Sequence, residues 1–127
     1  MREKGQALII LIVAAAVAIS VLTAATMVAI NQGKSSSRNE LGRKVYYAAE
    51  AGAEYALVKL MRDPSSCTGT ENLNIGLSAV TINYTPESGI CYVSSNAKQA
   101  STVKTIDVQA SYNLNQVFNY SGWIESP

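Results

Sequence analysis

Ala7-Leu-Ile-Ile-Leu-Ile-Val-Ala-Ala-Ala-Val-Ala-Ile-Ser-Val-Leu-Thr-Ala-Ala-Thr-Met-Val-Ala-Ile30 is a run of 24 residues whose only polar members are Ser20, Thr23 and Thr26. It lies in a window of 29 uncharged residues between Lys4 and Lys34. A helix crossing the hydrocarbon core of a bilayer needs about 20 apolar residues, with a range of roughly 17–25. Gly and Pro are absent from the run, and the six alanines of Ala14–Ala25 favour helix. The three hydroxyls can return to carbonyls of the preceding turn, so they do not spoil a span. The stretch therefore reads as a transmembrane helix. A cleaved secretory signal has an apolar core of about 7–15 residues, shorter than this one. The Ala-rich part could still mimic a signal cleavage site, and a plain signal-anchor remains a further alternative.

Outside the run the chain is ordinary in charge. Its 127 residues suffice for one domain, and 10 basic against 9 acidic residues leave a net charge of +1. That balance gives no direct evidence for nucleic acid as a partner, which usually shows as a strongly basic surface. There is no His, so the commonest acid–base group and metal ligand is missing. No Ser or Cys has a His to activate it, and no Gly-rich phosphate loop follows a strand. Glu50 and Glu54 lie one helical turn apart, as exposed like charges on a solvated face commonly do. The expectation is a non-enzymatic protein without cofactor or metal.

The run is preceded by Met1-Arg2-Glu3-Lys4-Gly5-Gln6, a short basic leader ending in Gly. Beyond it comes Lys44-Val-Tyr-Tyr-Ala-Ala-Glu-Ala-Gly-Ala-Glu-Tyr-Ala56. The first feature resembles the type IV prepilins, and the second resembles the juxtamembrane helix of minor pilins of the PilX type. Together the two cover about residues 1–62. The resemblance implies a leader over 1–5, cleavage of the Gly5–Gln6 bond by a prepilin peptidase, and methylation of Gln6 as the new N-terminus. Lacking a Cβ, Gly5 would leave the extended backbone accessible to that peptidase. It also implies a transmembrane and assembly helix over 6–33 that packs against other pilin subunits, with Ala7, Leu8, Ile10, Leu11, Val17, Val21 and Val28 on its packing surface. An assembly platform and an ATPase are implied as further partners. Major pilins carry Glu at the fifth residue after the cut; here that position is Ile10. A charge inside an apolar bundle is costly, and its absence here points to a minor subunit. Gln6 likewise replaces the common Phe. The resemblance implies a location in the cytoplasmic membrane before assembly and then in an extracellular or periplasmic filament.

Orientation is contested by the flanks. Lys34, Arg38, Arg43 and Lys44 follow the span, against Arg2, Lys4 and the terminal amine before it, so the positive-inside rule does not favour an outward C-terminus. The two cysteines and the leader argue for one.

From 34 to 62 apolar residues recur every three or four positions: Leu41, Val45, Ala48, Ala49, Gly52, Ala53, Ala56, Leu57, Leu60 and Met61. This predicts an amphipathic helix whose slim stripe carries a sheet, ended by Pro64. Asn31–Ser37, between the two helical halves, has poor helix propensity. It reads either as a plain linker or as a segment that unwinds in a fibre.

Over 63–127 the pattern turns to β-formers. Strands are expected at Leu77–Tyr84, with Val80, Ile82 and Tyr84 on one face, at Ile90–Ser95, at Thr102–Leu114 and at Gln116–Ile124, with a turn at Pro86-Glu87-Ser88-Gly89. Cys67 and Cys91 are the only cysteines. In an oxidising compartment a disulfide between them would contribute on the order of 3–4 kcal/mol; otherwise they are two buried thiols. Trp123 would either seal the sheet or meet another subunit. The fold class expected is α+β: a long N-terminal helix, half transmembrane and half amphipathic, on a small antiparallel pilin-like sheet. The competing reading is an uncleaved single-pass protein displaying an extracytoplasmic binding domain, and a third is a secreted domain released after a conventional signal.

Overall fold

The computed structural model describes residues 2–112 and 118–126. Helix α1 runs from Arg2 to Arg62, followed by a single 3-10 turn at Pro64–Ser66 and five strands. These are β1 (Gly69–Ile75), β2 (Ser78–Glu87), β3 (Ile90–Gln99), β4 (Thr102–Tyr112) and β5 (Phe118–Ser126). The sheet is a meander of order β1-β2-β3-β4-β5, antiparallel throughout. The α+β class read from the sequence is the class observed.

The chain forms two compact units, Met1–Arg38 and Asn39–Pro127. In the first, α1 is exposed throughout its described length. Asn31–Ser37 is helical despite its low propensity, since α1 is continuous through it.

In the second unit the remainder of α1 packs on one face of the sheet. Val45, Ala48, Ala49, Ala53, Ala56, Leu57 and Leu60 are buried against Val80, Ile82 and Tyr84 of β2, Val93 and Ala97 of β3, and Ile106, Val108 and Ala110 of β4. Small residues on the helix let its backbone come close to the strands. A Cβ added at Gly52 would meet Ser95 Oγ at 2.5 Å and Val80 Cγ1 at 2.7 Å. The buried Ser95 hydroxyl donates to the Ala49 carbonyl at 2.8 Å, which satisfies a polar group in an otherwise apolar layer. Leu41, Tyr46, Leu73, Ile75 and Trp123 border this core, so Trp123 packs on the sheet's inner side.

Several expected positions shift. Met61 is 59% exposed, because one residue beyond Leu60 the helix has turned its side chain away from the sheet. Leu77 is 87% exposed at the β1–β2 turn instead of opening a strand. Strand β1 was not anticipated. Pro86 lies in β2 and not in the turn: β1 pairing stops at Gly69↔Tyr84, so Pro86 has a neighbouring strand on one side only. The turn is the two-residue Ser88-Gly89, both with positive φ, which matches the twist of a tight hairpin. Leu114 and Gln116, expected at strand ends, lie outside the described residues.

Candidate functional site

The site with the clearest chemistry is the apolar part of α1. Leu8, Ile10, Leu11, Val17, Val21 and Val28 are between 56% and 68% exposed, and Ile9, Ile12, Val13, Ile19, Leu22, Met27 and Ile30 are similarly uncovered. At 3.6 residues per turn, Leu8–Val13 alone go more than once around the axis, so the helix has no polar side to offer water. A helix apolar all round is satisfied by lipid or by other apolar helices. At 1.5 Å per residue, Ala7–Ile30 spans about 36 Å, against a hydrocarbon core of about 30 Å. This helix is therefore long and apolar enough to cross a membrane, near the N-terminus of the sequence.

The polar groups within it are internally satisfied. Ser20 Oγ donates to the Ala16 carbonyl at 2.6 Å, Thr26 Oγ1 to the Thr23 carbonyl at 2.8 Å, and Thr23 Oγ1 to the Ile19 carbonyl. No hydroxyl needs a partner from outside the helix, as the sequence reading anticipated.

Gly5 and Gln6 are helical and exposed, and Ala7 follows in the same helix. A Cβ at Gly5 would meet nothing within 4 Å. Chemistry on the Gly5–Gln6 bond would require that turn to open into extended backbone, which the low helix propensity of Gly favours.

The second unit is fastened near the C-terminal end of α1 by a covalent and a polar link. Cys67 and Cys91 form a disulfide with Cα atoms 6.0 Å apart, joining the segment after the helix to β3. The sequence reading paired these two cysteines. It missed Glu71, which gathers three donors onto one carboxylate. Lys59 Nζ donates to its Oε2 at 3.0 Å, Tyr84 Oη to the same oxygen at 3.1 Å, and Tyr55 Oη to Oε1 at 3.2 Å. The Lys59 ammonium also lies 5.1 Å from the centroid of the Tyr84 ring. The Lys59 hydrogen bond holds the Glu71 carboxyl below the usual range, against partial desolvation, with the two phenols assisting. Desolvation pushes the Tyr84 phenol up, and the adjacent Glu71 carboxylate adds to it. The available signal was the alternation of Glu71, Leu73 and Ile75 with Asn72 and Asn74, weakened because Asn disfavours strand.

Nearer Asn39, Glu40 and Lys44 form an exposed i,i+4 pair at 2.8 Å. Among the described residues no group of His, Cys, Asp and Glu is arranged to hold a metal ion. Comparison of the chain with models of known families, with curated proteins and with solved structures finds no match in any of the three.

Proposed function

We propose that the chain is a structural subunit of a type IV pilus or a related pseudopilus, a minor pilin held in the cytoplasmic membrane and then polymerised through its N-terminal helix. The observation that carries this reading is the uncovered, all-round apolar helix in a chain that also carries a small disulfide-bonded sheet domain. Such a surface has two stable environments, lipid and a bundle of like helices, and a filament subunit has to exchange one for the other. Removal of Arg2, Glu3 and Lys4 by cleavage after Gly5 would leave a helix end without side-chain charge, suited to the interior of that bundle. The absence of a carboxylate at Ile10 fits a subunit that is not the main repeating one. A prepilin peptidase, an assembly platform and an ATPase are the partners this role requires.

One observation favours a second reading, an uncleaved anchor for an extracytoplasmic domain. The Gly5–Gln6 bond lies inside the helix, where a peptidase has no extended strand to grip. Intact mass and N-terminal sequencing of the membrane-fraction protein, from cells with and without prepilin peptidase, separate the two. A chain starting at Gln6 only when the peptidase is present supports the pilin. A chain retaining Met1 in both overturns it in favour of the anchor. A start near Ala25 overturns both, in favour of a secreted domain.

A further inference from the structure

After the apolar run, the first unit of the chain ends with Asn31-Gln32-Gly33-Lys34-Ser35-Ser36-Ser37-Arg38. The segment is helical throughout, and every one of these residues is exposed. Asn, Gly and Ser all rank low in helix propensity, so this composition is not chosen for the helix itself. What it offers is two cations set among small polar side chains.

Lys34 and Arg38 are four residues apart and so share one face of the helix. At about 100° per residue, Asn31 and Ser37 lie within about 60° of Lys34 on either side. Ile30 and Met27, both exposed, follow on the same face one and two turns nearer the N-terminus. No acidic residue occurs between Glu3 and Glu40 in the sequence. Among the described residues neither cation has an ion-pair partner, whereas Glu40 holds Lys44 at 2.8 Å.

Exposure alone would leave both cations to water; their depth decides otherwise. With Ala7–Ile30 seated in the hydrocarbon core, the Cα atoms of Lys34 and Arg38 lie about 6 Å and about 12 Å beyond its end along the helix axis. The headgroup layer adds about 5–7 Å on each side of that core. Helical side chains lean toward the N-terminus, which here is back toward the core. Lys and Arg have stems long enough to carry their charge down to the level of the phosphates.

We infer that this face of α1 binds one anionic phospholipid. Its phosphate lies between Lys34 and Arg38, its glycerol backbone beside Asn31 and Ser37, and an acyl chain along Ile30 and Met27. The charged pair donates to phosphate oxygens, and the amide and hydroxyl serve the ester and hydroxyl groups above the acyl chains. A zwitterionic headgroup brings its own ammonium, which two cations without a nearby carboxylate repel. An anionic headgroup instead gains about fivefold in affinity from each Lys or Arg near the membrane surface. The site rests on the reading of Ala7–Ile30 as a membrane span, and it holds whether or not the chain is cut after Gly5.

The test uses the full chain in lipid nanodiscs, with phosphatidylcholine replaced stepwise by phosphatidylglycerol. Amide NMR shifts of Asn31, Lys34, Ser37 and Arg38 are followed, with the amides of β3 as reference. The expected result is a saturable shift at the four that grows with the phosphatidylglycerol share. Lys34→Gln and Arg38→Gln should each weaken it about fivefold, and the double variant should abolish it. Lys44→Gln, which removes a cation already held by Glu40, should leave it unchanged. All three side chains are exposed, so the variants keep the fold. Soluble glycerol 3-phosphate added to pure phosphatidylcholine discs should produce no such shift. Alkaline extraction of vesicles carrying the chain reports the span separately, and release of the chain overturns the membrane reading itself. A chain that stays in the membrane overturns the lipid site in any of three ways: no shift with phosphatidylglycerol, a shift that the double variant retains, or an equal response to glycerol 3-phosphate.

Discussion

Ser95 of β3 donates its hydroxyl to the carbonyl of Ala49, in the part of α1 that packs on the sheet, at 2.8 Å and wholly out of solvent. That bond sets the distance at which helix and sheet meet, and Gly52 is the residue that tolerates it. An added Cβ there would press on Ser95 Oγ and Val80 Cγ1. Gly52→Ala is therefore expected to destabilise the domain by about 1–3 kcal/mol, because overpacking outweighs the gain in helix propensity of about 1 kcal/mol. Gly42→Ala, where the new Cβ meets nothing within 4 Å, keeps only the gain and should stabilise. Denaturant unfolding of both variants in micelles checks the opposite signs.

Acid should loosen the Glu71 cluster. The folded carboxyl titrates below its ordinary value, so its contribution is present above about pH 4.5 and is lost as pH falls through the lower, folded-state value. Tyr84 runs the other way: its folded phenol titrates above the ordinary value, so stability is full below about pH 10 and declines as pH rises beyond it. Thermal unfolding across the pH range should show both flanks. Glu71→Gln should flatten the acid flank in part, Asp63 retaining its own contribution through the hydrogen bonds it accepts from Ser65.

Loss of the disulfide should cost much of the domain's stability. Cys67→Ser with Cys91→Ser, or reduction of the native chain, is expected to remove about 3–4 kcal/mol by the loop-entropy account for a 24-residue separation. A shift of the denaturant midpoint with the slope unchanged would identify the effect as one on stability alone.

Charge in the apolar helix should block its retention in membranes. Val17, near the middle of the run and 57% exposed, has no protein neighbour to shield a carboxylate. Val17→Glu is expected to weaken membrane insertion by about 2.5–3.5 kcal/mol, whereas Val17→Leu should be neutral. Alkaline extraction of membranes followed by blotting distinguishes them.

Patterns that depend on periodicity were legible in the sequence. The apolar run, the stripe from Val45 to Leu60 and the inner faces of β2 and β4 all follow from spacing, because burial on one side imposes a period of 3.6 or 2. What escaped depends on contacts between distant residues. Four of the seven residues of strand β1 are Asn, Gly or Thr, and the strand is recruited by pairing with β2 and by the Glu71 bonds to α1. Gly52 read as one more small residue; only Ser95 and Val80 opposite it give its lack of side chain a purpose. The apolar surface that carries the proposed assembly role was visible at once, since nothing covers it.

The bridge between Cys67 and Cys91 also determines how the sheet domain would bear tension. A pull arriving along α1 leaves the helix at Arg62 and meets Cys67 five residues later. There the covalent link passes it directly to Cys91 at the start of β3, the central strand. Residues 68–90, which include all of β1 and β2, are bypassed by the force path. The hairpin nearest the helix cannot then be unzipped from its chain end, and the first structure to yield must be the helix itself or the strands beyond Cys91.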